Sequence, residues 1–456
     1  MRISPDLRLS SRLMLSTAYP AGCDHGLRFH RCSPHAPETL SNSLFLHLFT
    51  NDATLRAADV RHGTSKAAHT SLLNTRSRAR SMANGRDPRI DFFRGLALIF
   101  IFWDHVPGNP FAQLTVRNFG FSDAAEIFVF LAGYAAVLAY GRIALRDGFV
   151  VACVRILRRA WVLYVVHIFL LTLLMGIVFV ANNHVETRDM IQEMGLGYFV
   201  RNPQQALADE LLLRFKPNLT DPLPLYILLL LALPLILPWM LRRTEYVVGL
   251  SVALYLMVPF FGWNLSAYEG GVWYFNPVAW QLLFVLGGAC AIRGQRPSVQ
   301  QPRPLKQQPL FIIYATYVVI SGLITLSWKW PGLHEMLIPK AISNLLYPIS
   351  KTDLSPVRLL HFLALAYCTA KCLPTGHAWL NNWPAQQTCR MGRYSLEVFC
   401  LSVLLAPLAD MANALAGDTW PMQVFTALLG LGLMMLMASG LELNKRLGTP
   451  GRVAAV

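Results

Sequence analysis

Charge is what this chain has least of. Asp, Glu, Lys and Arg make up only 14% of the 456 residues, 54% are hydrophobic, and the mean hydropathy is +0.41. Soluble domains carry about a quarter charged residues, so a soluble globular protein is excluded and a polytopic membrane protein is predicted. Alternation of apolar and polar residues with period two is missing too, which excludes a membrane β-barrel. The eight cysteines, Cys23, Cys32, Cys153, Cys290, Cys368, Cys372, Cys389 and Cys400, form no C-x-x-C pair and mostly lie in or beside apolar runs. Neither a disulfide framework nor a metal site is expected of them. Basic residues interleaved with aromatics on one face are also lacking. The formal net charge is +15, but residues 1–86 hold twelve Lys or Arg against five Asp or Glu, so about half of the excess lies in this leader. The rest falls in alternate loops, which argues against nucleic acid as a partner and for lipid as the surroundings.

Residues 1–81 contain no apolar run fit to be the core of a signal peptide, since "SNSLFLHLFT" is too short and lies too far in. Residues 1–85 are expected to be a disordered basic leader. Met82 is the expected translation start, because "MANGRDPRIDFFRG" then places a short polar segment directly before the first apolar run.

What the chain does have is apolar runs long enough to cross a hydrocarbon core of roughly 30 Å. They fall near 92–107, 124–140, 160–181, 223–241, 246–262, 276–292, 310–328, 357–374, 394–412 and 420–441. The expected fold is all-α, with about ten transmembrane helices in a domain spanning 86–445 and a cytoplasmic tail at 446–456. Arg142, Arg146, Arg155, Arg158 and Arg159 fall in the loop after the second run. Arg242, Arg243, Arg293, Arg296, Arg303, Lys306, Arg390 and Arg393 fall in later alternate loops. Those loops are assigned to the cytoplasm, which puts both termini there. Segment 331–356 is read as an outside re-entrant or surface helix, because an eleventh crossing would reverse every later loop.

The stretch "RIDFFRGLALIFIFWDHVPGNP" carries ionisable residues inside an apolar run. Arg94 and His105 are eleven residues apart, about three helical turns plus roughly 20°, so both share one face with a rise of about 16 Å between them. Asp104 is offset by about 100° and, in a regular helix, would not pair directly with His105. A terminal Arg can snorkel and a His before a Pro can be interfacial. Their shared face, the adjacent Asp104 and the Pro-Gly-Asn-Pro stop point instead to a functional site. Asp123 and Glu126 of "FSDAAEIFVFLAGY" fall one turn apart at a similar depth, as do Asn276, Trp280 and Gln281 of "NPVAWQLLFVLGG". At the opposite end Arg94, Arg155, Arg158, Arg159 and Arg393 gather with Ser395 and Glu397 of "MGRYSLEVF". Positive-inside topology accounts for such a group, and so does a phosphate-binding mouth, since the planar fork of Arg suits phosphate.

These segments resemble the OpgC family, inner-membrane proteins linked to succinylation of osmoregulated periplasmic glucans, within the acyltransferase type 3 superfamily. The resemblance covers roughly 86–441. "RDPRIDFFRGLALIFIFWDHVPGNP" is similar to the family's opening signature, with Arg94 and His105 in the superfamily's pattern of Arg, ten residues, His. "AEIFVFLAGY" is similar to the second-span element and gives Glu126 the place of its acidic residue. "VRILRRAWVLY", "NPVAWQLLFVLG" and "MGRYSLEVF" resemble later elements. The superfamily often has a His shortly after the last of these, where Phe399 and Cys400 stand here.

The resemblance implies O-acyl transfer at the bacterial inner membrane, from succinyl-coenzyme A to a hydroxyl of a periplasmic glucan, with no tightly bound cofactor. It implies His105 as general base, with Glu126, or else Asp104 or Asp123, orienting its ring. Arg94, Arg155 and Arg159 would hold the phosphates or the carboxylate of the donor, and Asn276, Trp280, Gln281, Ser395 and Glu397 are further candidates for binding. A transporter or flippase for a glucan or an acyl donor is the rival expectation. A structural partner of a glucan synthase is a third.

Overall fold

A computed structural model describes residues 87–294, 308–374 and 376–447. The leader, the start at Met82, the end of the tail from 448 onward and the basic residues Arg296, Arg303 and Lys306 lie outside the described residues. Among those described, the secondary structure is helical, apart from an isolated bridge between Ser266 and Val272.

All ten apolar runs form helices. They are α1 (Pro88–Asp104), α2 (Ala124–Arg146), α3 (Phe149–Asn182), α7 (Pro222–Arg242), α8 (Thr244–Phe261), α9 (Pro277–Gly294), α10 (Gln308–Ser327), α13 (Pro356–Cys372), α15 (Ser395–Leu415) and α16 (Trp420–Leu447). Between them lie the shorter α4 (Met190–Glu193), α5 (Gly197–Arg201), α6 (Pro203–Leu211), α11 (Pro331–Leu337), α12 (Lys340–Leu346) and α14 (Trp383–Arg393). Eight of the ten are long and apolar enough to cross a membrane, and α1 and α13, at 17 residues each, are shorter. Segment 331–356 contains two seven-residue helices, each about 10 Å long, too short for either to cross.

The sequence reading misplaces loop boundaries: Arg390 and Arg393, read as loop residues, lie on α14. α3 begins at Phe149, and α2 runs on to Arg146, so the expected basic loop shrinks to Asp147 and Gly148. Arg142, Arg146, Arg155, Arg158 and Arg159 all sit on helices. Arg is a good helix former, so nothing local stops either helix where its apolar run ends. Gly148, at φ +99°, makes the reversal, a conformation open to glycine.

Local signals explain why the helices start where they do. Asp87 caps α1 by accepting from the Arg89 backbone N–H, with Pro88 in the first position. Asp123 and Glu126 form a reciprocal capping box on α2. Glycines then let the helices approach one another. A Cβ at Gly133 would lie 2.0 Å from Phe284 O, and one at Gly287 would lie 1.9 Å from Phe130 O, so α2 and α9 meet backbone to backbone. Gly95 and Gly392 do the same for α1 and α14, with hypothetical Cβ contacts of 1.9 Å to Thr388 O and 1.8 Å to Asp91 O. Lipid gives helices little hydrophobic reason to associate, so close packing of this kind has to hold them together. Gly287→Ala is therefore expected to cost about 1–3 kcal/mol through overpacking. The check is a lowered melting temperature of the detergent-solubilised protein, against no lowering for Gly432→Ala, whose Cβ would meet open space on a helix that favours Ala over Gly.

Candidate functional site

The end of α1 opens into a cavity of about 860 Å³. Its wall includes Asp104, His105, Arg117, Ser122, Asp123, Lys351 and Arg358. His105 follows the last residue of α1, and its ring is exposed to this space. The ring Nδ1 lies 2.6 Å from Ile101 O, one turn back. A carbonyl oxygen only accepts, so Nδ1 carries a proton, and in the neutral ring Nε2 keeps the lone pair. The chain beyond is held by Asn109, whose side chain donates to Trp103 O and accepts from Phe111 N–H. Asp104, 7% exposed, accepts from the Thr115 hydroxyl at 2.6 Å and lies 3.9 Å from the guanidinium of Arg117.

Two carboxylates and two cations form a buried group beside this histidine. Glu126, fully buried, accepts from the Asp123 backbone N–H at 2.8 Å and pairs with Arg358 at 2.6 Å. Asp123 pairs with Lys351 at 2.7 Å and with Arg358 at 3.0 Å, and its other oxygen caps Ala125 N–H. Burial would raise the Asp123 carboxyl, but the charges of Lys351 and Arg358 outweigh it and hold the group well below the usual carboxylate range. Glu126 is thus engaged by Arg358. It is the backbone carbonyl of Ile101 that fixes the ring of His105, where the sequence reading expects a carboxylate.

Asn276 and Trp280 act on the same group from behind. The Trp280 indole N–H donates to Lys351 O and Thr352 O at 3.0 and 3.1 Å. The Asn276 amide donates to Asp353 at 2.8 Å and to Trp263 O at 2.7 Å. Together they grip the loop that presents Lys351. Gln281 ties α9 to α8 through Ser251, with bonds of 2.7 and 2.9 Å. Asn276, Trp280 and Gln281 all lie outside the cavity wall.

Farther back along α1, near its middle, Arg94 donates to the Ser395 hydroxyl. Arg94 and Ser395 line a cleft of about 30 Å³ with Arg159, Tyr226 and Phe399. Arg155 points away to Asp147 at 3.7 Å, Arg158 is exposed, and Glu397 is half-buried outside the cleft lining. Of the basic group read from the sequence, Arg94 and Arg159 come together.

Lys351 and Arg358 are members of this charged group that the sequence reading missed. Their signal is misplacement, since both flank an apolar run at its predicted outer end, where Lys and Arg are scarce. His361, one turn after Arg358 on α13, was missed as well. It is fully buried, and its Nδ1 accepts the Ser122 backbone N–H at 3.2 Å with the Ser122 hydroxyl at 2.7 Å.

The cavity's two lysines differ in basicity. Burial pushes the Lys216 ammonium down to about 8, an effect that Asp221 partly offsets. Burial works against Lys351 too, but the Asp123 carboxylate lifts it above the ordinary lysine value. At pH 8 about half of Lys216 is then the free amine while Lys351 remains an ammonium. A small amine-directed reagent at pH 8 should modify Lys216 well before Lys351, as read by peptide mass spectrometry. Equal labelling would contradict this assignment.

A bundle of apolar helices around an open, charged cavity with a histidine on its wall defines a multi-pass membrane protein with an internal site. The chain belongs to the OpgC family. The family model described as OpgC protein matches residues 86–446, which takes in the bundle but for the last residue of α16, and the linings of both cavities. Membership points to a membrane acyltransferase. A comparison with curated proteins finds no match, and neither does one with solved structures.

Proposed function

We propose that this protein is an O-acyltransferase of the bacterial inner membrane that transfers an acyl group, succinyl by resemblance, from coenzyme A to a glucan hydroxyl in the periplasm. One observation carries the reading. His105, with Nδ1 turned to the Ile101 carbonyl, faces a large cavity at one end of α1, and Arg94 faces a basic cleft farther back along the helix, about 16 Å away by helix rise. The basic end faces the cytoplasm in this reading, with both chain termini, and Arg94 with Arg159 binds the anionic donor. The cavity receives the acceptor. Its hydroxyl oxygen attacks the thioester carbonyl as Nε2 of His105 takes the hydroxyl proton. The C–S bond breaks, and the proton passes from His105 to the departing thiolate, giving the ester and coenzyme A. Acyl-coenzyme A is a co-substrate, and the chemistry needs no resident cofactor. About ten crossings fit this reading, with α1 and α13 shorter because each ends among charged residues around the cavity.

The test is the mass of periplasmic glucans from a deletion strain with and without the wild-type gene. Loss of an acyl increment in the deletion, restored on complementation, is expected. Glucan that keeps its acyl groups but accumulates inside the cell would overturn the reading in favour of transport.

A further inference from the structure

The large cavity and the basic cleft are built on the same helices. On α2, Ala124 lines the first, Ala132 lines the second, and Phe128, one turn from each, lines both. Among the described residues Phe128 is the one member common to the two linings. α7 and α15 border both spaces as well. On α7, Pro222 and Leu225 lie on the cavity and Leu223 and Tyr226 on the cleft, while α15 gives Phe399 to the cleft and Ala406 to the cavity. The Phe128 ring stacks on Phe399, with centroids 5.9 Å apart and planes at 29°. Phe399 is itself 1% exposed and held in the core, whereas Phe128 keeps part of its surface free. One face of α2 thus reads small, large, small along the track, with a single aromatic ring where the two spaces meet.

We propose that Phe128 is the partition in a continuous path between the basic cleft and the cavity of His105, and that it sets how far an acyl thioester arm advances. This rests on the acyl-transfer reading for the identity of the arm, while the partition itself does not. Each flanking position on α2 is an alanine, so on that helix Phe128 is the side chain that narrows the passage, and a partly exposed ring stacked on Phe399 can swing aside. A thin, flexible thioester arm passes a displaced ring, whereas a saccharide is too wide. Closed, the ring keeps water in the large cavity away from the thioester. That separation matters because water and the acceptor hydroxyl attack the same carbonyl.

The test uses the full chain in membranes. Leu396, on the cleft lining, is changed to Cys as a reporter, alone and combined with Phe128→Ala or Phe128→Leu. A membrane-impermeant thiol reagent is added to right-side-out and to inverted vesicles, and peptide mass spectrometry reads the reporter. With Phe128 or Leu present, labelling is expected from one side; with Ala, it is expected from both. Labelling from both sides with Phe128 intact, or from one side with Ala, would overturn the partition. Phe128→Val covers the case in which the alanine variant fails to fold.

A second readout separates the partition from the chemistry. In purified protein given acyl-coenzyme A without acceptor, Phe128→Ala should raise thiol release by about tenfold, the order expected from losing one stacked ring. If the reporter opens but neither wild type nor variant releases thiol or acylates an acceptor, the partition stands and the acyl-transfer reading falls. If the wild type acylates but Phe128→Ala leaves thiol release unchanged, the ring does not govern the thioester and the proposal fails.

Discussion

His105→Ala is expected to lower acyl transfer by about 10²–10⁴-fold, the usual contribution of a positioned general base, while the protein stays folded and in the membrane. The two parts of this expectation have separate grounds. The ring's recorded hydrogen bond is to Ile101 O of its own helix, and it faces open space in the cavity. Its removal therefore leaves no buried partner stranded and opens no void in a packed core. Chemically, the carboxylates nearest to it on that wall are already engaged. Asp104 is taken up by the Thr115 hydroxyl, and Asp123 is shared by Lys351 and Arg358. His105→Gln refines the test, because its amide can still donate to the Ile101 carbonyl yet cannot accept a proton. If orientation of α1's end were the role of this residue, Gln would restore activity. If base catalysis is the role, Gln will be as slow as Ala. Both variants should also lose the acid limb of the kcat/KM profile, where protonation of the base slows the wild type. Thiol release coupled to the mass of the acylated acceptor measures all of this, and a full rate in His105→Ala would end the assignment.

The division between what could be read from the sequence and what could not follows from the range of each interaction. Apolar runs are local, and all ten proved helical. The spacing of Arg94 and His105 is local too, and along α1 and its cap the first does lie on the cleft and the second on the cavity. Helix ends were less legible. α3 starts eleven residues before the run that announced it, since Phe149 precedes 160 by that much and the intervening arginines are compatible with a helix. Glu126 was legible as an ionisable residue in an apolar setting, but its partner Arg358 lies 232 positions away. The capping box with Asp123 was written in the sequence, Asp and Glu three apart, although that spacing was read as a site and not as a cap. Asn276 and Trp280 carried polar atoms at the right depth. That those atoms point back at the loop of Lys351, away from the cavity, is set by tertiary packing. Phe128 gave no signal at all, because an aromatic in an apolar run acquires its meaning from the two cavities it divides.

The buried charge group makes the largest prediction for stability, and the order of its variants tests the geometry. Arg358 reaches both carboxylates, at 3.0 Å to Asp123 and 2.6 Å to Glu126, whereas Lys351 reaches Asp123 at 2.7 Å from a side chain that is 26% exposed. Arg358→Ala leaves Glu126, fully buried, without its cation and within one turn of Asp123. Breaking one partner from a buried pair costs about 3–5 kcal/mol, since the remaining charge is stranded. Glu126→Ala should cost less, because Arg358 keeps Asp123 as a partner. Lys351→Ala should cost least, because Asp123 keeps Arg358 and water can reach the site from the cavity. The expected order of melting temperatures in detergent is wild type, Lys351→Ala, Glu126→Ala, Arg358→Ala, from highest to lowest. The double variant Glu126→Leu with Arg358→Met removes both charges while keeping bulk, and it should recover much of the loss from Arg358→Ala, since an apolar pair of similar volume replaces a buried ion pair at little cost. It should not recover activity. Asp123 would keep only Lys351 to anchor it, so the start of α2, which forms the wall facing His105, would be held more loosely. Equal melting temperatures for Lys351→Ala and Arg358→Ala would mean that Arg358 does not bridge the two carboxylates, and the group would then have to be redrawn as two separate pairs.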